Sequence, residues 1–137
     1  MRVVLDSSVI IDHLRGDERA RNVIAAHVEA ADQLWGIVIS RAEVIASMRS
    51  ADRGPTIRLL DQLRWLDIDL EVADKAGALA RRYRRSHPGL QLADCLIAAG
   101  TARLGARLLT QNVRHFPMIP DLRPAYAERP QMRSEAQ

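Results

Sequence analysis

Asp6, Glu43 and Asp94 are the carboxylates whose surroundings suggest chemistry, and Asn112 and His115 follow them in a later polar stretch. Asp6 ends the apolar run Val3-Val4-Leu5, so a charge stands where a buried strand stops. Asp94 lies in Leu92-Ala93-Asp94-Cys95-Leu96-Ile97-Ala98-Ala99-Gly100, which is apolar on nearly every side. A carboxylate in such a helix needs a partner, a metal or a proton. Several carboxylates in one cleft repel one another, and the usual compensator is a hard divalent cation. Mg2+ or Mn2+ prefers oxygen ligands and keeps several waters. Such an ion can acidify a water and stabilise an in-line displacement at phosphorus.

Each acid also has a plainer possible duty. Asp6 could cap the helix that follows it, although Ser7 or Ser8 could do the same. Ser40-Arg41-Ala42-Glu43 fits a capping box, in which Glu43 reaches back to the Ser40 backbone. Asp94 sits near a helix N-terminus, where the dipole favours negative charge. These alternatives stay open at this level. A thiolate zinc site is excluded, because Cys95 is the only cysteine. No P-loop and no dinucleotide fingerprint is present.

The elements that would carry these residues can be read from the hydrophobic pattern. Strands are expected over 2–5, 33–39, 65–68 and 107–110. Helices are expected from residue 9, over 18–31 behind an Asp17 N-cap, and from a Ser40 cap to about 50. Further helices should run from Pro55 to about 64, over 71–85 and over 92–104, with a loop or single turn at 112–116. Strands alternating with helices predict an α/β fold with a mainly parallel sheet covered on both faces. In such sheets function gathers at the carboxyl ends of the strands. One domain is expected over 1–137, its core about 2–120, with a polar tail over 121–137 that is loose over 129–137.

The 137 residues are 47% hydrophobic, enough for a real core. No apolar run approaches membrane-spanning length, and Asp6 interrupts any signal-like start, so a cytoplasmic protein is expected. The net charge of +3 is carried almost wholly by arginine. The densest basic run, Arg81-Arg82-Tyr83-Arg84-Arg85, could track RNA phosphates while Tyr83 stacks on a base. A run that winds round a whole helix favours a solvated face instead.

Val4-Leu5-Asp6-Ser7-Ser8-Val9-Ile10-Ile11 resembles the first motif of PIN-domain nucleases. Ser40-Arg41-Ala42-Glu43-Val44 resembles the second, Leu92-Ala93-Asp94-Cys95-Leu96-Ile97-Ala98 the third, and Leu109-Thr110-Gln111-Asn112-Val113-Arg114-His115-Phe116 the fourth. Order, spacing and length are most similar to VapC toxins of bacterial toxin–antitoxin pairs. The resemblance implies a three-layer α/β/α sandwich and a metal-dependent endoribonuclease. It implies that Asp6, Glu43 and Asp94 hold Mg2+ or Mn2+ and its attacking water, with Asn112 as a further catalytic residue. Ser8 and His115 would support them from behind. The fourth motif departs from the family, because Asn112 is neutral and His115 stands where aspartate is common. The resemblance further implies an RNA substrate, a VapB-type antitoxin that covers the site, and a homodimer. Neutral Asn112 motivates an alternative, an RNA-binding or interaction module of the same fold with weak or no catalysis.

Overall fold

Val3, Val4 and Leu5 have almost no solvent exposure, and they form the centre of a parallel sheet. The strands are β1 (Arg2–Leu5), β2 (Gln33–Ile37), β3 (Arg64–Leu66) and β4 (Arg107–Leu109), in the order β3-β2-β1-β4. Every neighbouring pair is parallel. Arg2 pairs with Gln33, and Leu5 with Leu109, so β1 is flanked on both sides. The computed structural model describes residues 1–127. The loose end expected over 129–137 lies outside them.

Side chains alternate across the strands, as a pleated backbone requires. Val3, Leu5 and Leu109 turn to one layer. Val4, Ile37 and Leu108 turn to the other. The first layer is built by α1 (Ser7–Leu14), α2 (Glu18–Glu29), α3 (Val38–Ser47) and α4 (Arg53–Leu60). Ile10, Ile24, Val44 and Leu60 supply its buried side chains. The second layer is built by α5 (Leu70–Tyr83) and α6 (Leu92–Arg103). Ile97 and Ala98 of α6 pack on the sheet, while Val72, Ala76 and Ala80 of α5 pack on Cys95 and Ala99. The result is the three-layer α/β/α sandwich. Each large aliphatic side chain fully buried here contributes roughly 1.5–3 kcal/mol.

Two glycines matter to this packing. Gly105 follows α6 with φ of 59° and turns the chain into β4 through the left-handed region that glycine favours. Gly100 lets α6 approach β2, since a Cβ there would stand 2.5 Å from Cδ1 of Ile37.

Three expectations need correction. β2 ends at Ile37 and α3 begins at Val38, so Ser40 lies inside the helix and does not cap it. Apolar residues at 38 and 39 read as strand because they face a buried end of the sheet. α3 and α4 also stop early, at Ser47 and Leu60. The core extends past residue 120, because Tyr126 is buried against the layer of α1 and α2. Among the described residues no helix is long and apolar enough to cross a membrane.

Candidate active site

β1 stops at Leu5, and the chain turns directly into α1, leaving Asp6 at the carboxyl end of the central strand. Asp6 occupies the N-cap position, yet its side chain makes no capping bond. It is buried, and its Oδ2 instead accepts from the Ser8 hydroxyl at 2.9 Å and the Thr110 hydroxyl at 2.7 Å. Both hydroxyls are themselves held by the loop after β4. Ser8 Oγ accepts the Gln111 N–H at 3.2 Å, and Thr110 Oγ1 accepts the Asn112 N–H at 3.0 Å. One carboxylate oxygen is thus saturated by a closed pair of hydroxyl bridges.

Glu43 comes from α3, which leaves the end of β2 without an intervening loop. It makes no capping box with Ser40, whose hydroxyl is buried without a hydrogen bond. Glu43 Oε1 is likewise buried with no hydrogen-bond partner. Burial raises its carboxyl above the ordinary range, and the charges of Asp6 and Asp94 raise it further, against the Ser7 hydroxyl.

Asp94 occupies the first turn of α6, close to the other two acids. Its Oδ2 accepts the Gln91 N–H at 3.2 Å, so the capping box anticipated at Glu43 is found here in part. Its Oδ1 lies 3.6 Å from His115 Nδ1. Burial raises the Asp94 carboxyl, the Gln91 N–H and His115 oppose that rise, and Asp6 adds to it. The charges of Asp6 and Asp94 therefore reach Glu43, and that of Asp6 reaches Asp94, at the carboxyl edge of the sheet.

The other sequence candidates fall differently. Asn112 is exposed, and it reaches the cluster through its backbone rather than its side chain, which makes no hydrogen bond among the described residues. Arg81, Arg82, Arg84 and Arg85 are exposed at the end of α5 and do not enter the cluster. Thr110 escaped sequence reasoning. Its signal was a lone hydroxyl directly after β4, at the edge where Asp6 had been placed.

The donor set can be tested against a divalent cation. Three carboxylates, two of them (Glu43 and Asp94) with raised affinity for protons and Glu43 with an orphaned buried oxygen, fit a hard cation and oxygen ligation. Among the described residues no three His, Cys, Asp or Glu side chains gather closely enough to enclose an ion alone. Mg2+ and Mn2+ retain water in their shell and need few protein ligands, whereas a closed structural zinc site needs four.

A PIN domain family model matches residues 3–120. The chain belongs to the PIN-domain family. Within that family it is 37% identical over 123 residues to Ribonuclease VapC19 of Mycobacterium tuberculosis, covering 90% of this chain and 98% of the relative. It is 41% identical over 126 residues to Ribonuclease VapC10 of the same organism, covering 91% and 93%. Among solved structures, this PIN domain is similar to one titled a toxin–antitoxin complex from Klebsiella pneumoniae, with TM-score 0.76 and 23% identity over 90% of this chain and 98% of that one. VapBC-1 from nontypeable Haemophilus influenzae gives 0.72 and 24% identity, over 91% and 98%. At these identities the structural likeness shows the fold.

Proposed function

We propose that this PIN domain is a metal-dependent endoribonuclease and the toxin of a toxin–antitoxin pair. The observation that carries the reading is the meeting of Asp6, Glu43 and Asp94 at one sheet edge, with Glu43 Oε1 buried and unpartnered. Relatives named as VapC ribonucleases support the activity, and the similarity to toxin–antitoxin complexes supports a VapB-type antitoxin as partner. The same reading puts the protein in the cytoplasm and allows a homodimer.

Asp6, Glu43 and Asp94 would hold Mg2+ or Mn2+. When bound, such a cation acidifies water and draws charge from the phosphoryl oxygens. The chain's own residues prepare that chemistry. Ser8 and Thr110 fix Asp6 Oδ2, which sets the plane of its carboxylate. Gln91 fixes Asp94 Oδ2. Glu43, raised by burial and by its two acidic neighbours, is suited to take a proton from the attacking water at Oε1. Preorganised groups of this kind lower the barrier because they need no rearrangement in the transition state.

The test is cleavage of total RNA by purified, partner-free protein with Mg2+ or Mn2+ and with EDTA, beside Asp6→Asn and Asp94→Asn. Discrete fragments that require the cation and vanish in both variants are expected. Cleavage that persists in the variants would sink the reading. Binding of RNA without cleavage would favour the alternative, a catalytically weak module, for which the neutral Asn112 of the fourth motif is the motivating observation.

A further inference from the structure

A basic run at 81–85 that winds round a helix is a solvated face. The structure narrows that premise, because α5 ends at Tyr83 with Arg84 as its C-cap. Only Arg85 stands beyond the helical turn, on the connection to α6. That connection leads to the helix turn carrying Asp94. Arg84 is close enough to the buried Cys95, the next residue along, to lower its thiol against the effect of burial.

The run is also electrically uncompensated. Arg19, Arg41, Arg49 and Arg103 each pair with carboxylates. Among the described residues Arg81, Arg84 and Arg85 pair with none, and all three are exposed. Arg81 and Arg84, three apart with Arg84 still in the right-handed helical region, share one face. Arg82 lies over the Tyr83 ring, 5.3 Å from its centroid. Arg114, also exposed, directly precedes His115, whose Nδ1 lies 3.6 Å from Asp94 Oδ1.

We infer that the α5–α6 connection is a phosphate-guiding rim for single-stranded RNA. The inference rests on the nuclease reading and names how substrate reaches that site. An acidic centre repels a polyanion, so attraction must come from cations set beside it. Arg81, Arg84 and Arg85 supply that from the chain leading into the Asp94 turn, and Arg114 from the residue before His115. Guanidinium groups suit phosphates through their planar fork. Tyr83, flanked by Arg82, offers a ring on which an unstacked base can sit, which selects single strands over duplex.

The experiment is fluorescence anisotropy of a labelled single-stranded oligoribonucleotide with the full chain in EDTA, across a series of KCl concentrations. Arg81→Ala/Arg84→Ala/Arg85→Ala is compared with Arg53→Ala/Arg58→Ala/Arg64→Ala, which removes the same charge from another surface. The rim variant is expected to bind roughly tenfold or more weakly, and its salt slope to be shallower by about 2, near 0.7 for each lost phosphate contact. The control variant should stay near the parent. Equal weakening in both variants overturns the rim, as does no weakening in either. Equally tight binding of a poly-glutamate peptide or of duplex RNA overturns its assignment to single strands. Because binding is read without cation, a failure of catalysis in the cleavage test leaves this result separately interpretable.

Discussion

Thr110 donates a 2.7 Å hydrogen bond to Asp6, 104 positions earlier in the chain, joining the carboxyl ends of two adjacent parallel strands. The same hydroxyl accepts the Asn112 N–H, so one side chain fixes both an acid and the loop after β4. Thr110→Val keeps the shape and removes the bridge. It should cost about 1–3 kcal/mol of stability, because a backbone N–H loses its acceptor and Asp6 loses a donor. RNA cleavage should fall at least tenfold, and Thr110→Ser should recover most of both. Urea unfolding and initial cleavage rates check this, and a Val variant as active as the parent would contradict it.

Glu43 gives a pH-dependent prediction. Burial, then Asp6, then Asp94 raise its carboxyl, so the folded chain holds the proton more tightly than the unfolded chain. Stability attached to that proton is fully present below the unfolded value and is lost as pH rises through the raised folded value. At pH 7 in EDTA, Glu43→Gln should therefore melt at a higher temperature than the parent. The gap should close as pH falls below the ordinary carboxylate range. Thermal unfolding across that range decides it, and a lower Tm for the variant at pH 7 is the contrary result. In Mg2+ the same variant should lose most cleavage.

Gly100→Ala opposes two effects. Alanine favours a helix interior by about 1 kcal/mol over glycine. Its Cβ would stand 2.5 Å from Ile37 Cδ1, and such overpacking costs about 1–3 kcal/mol. Net destabilisation is expected, partly relieved when Ile37→Val removes that methyl. Additive effects of the two changes, measured by denaturant unfolding, would refute the contact.

Tyr126 tests where the domain ends. Its hydroxyl donates to Asp12, its ring is buried, and its backbone N–H and carbonyl exchange hydrogen bonds with the Gln111 side chain at 3.1 and 3.0 Å. Tyr126→Phe should cost about 1 kcal/mol. Tyr126→Ala should cost roughly 3 kcal/mol, because it also opens a cavity. A chain ending at residue 120 should be less stable than one ending at 127. Equal denaturation midpoints for those two chains would remove Tyr126 from the core.

The alternation of strands with helices made the sandwich legible, since each strand is a short apolar run closed by a helix start. Asp6 was legible for the same reason, standing where its strand must end. Ser40 misled, because Val38 and Ile39 are as apolar as the strand before them, and only the backbone shows that the helix has already begun. Thr110 was invisible because its partner is distant in sequence, and a hydroxyl carries no periodic signal. Tyr126 was lost to a Pro-rich polar setting that reads as tail, though three consecutive residues there are tied down by Thr110, Gln111, Asp12 and Arg19.

The order of the strands in the sheet is not their order in the chain. β1 is made first and lies in the middle, while one of its two neighbours, β4, is made last of the four. During synthesis Asp6 therefore emerges long before the hydroxyl that orients it, and about a hundred residues separate the two events. A nascent chain carries the acids but not their alignment. The central acid is thus aligned only once the last strand of the sheet has been made and has docked beside the first.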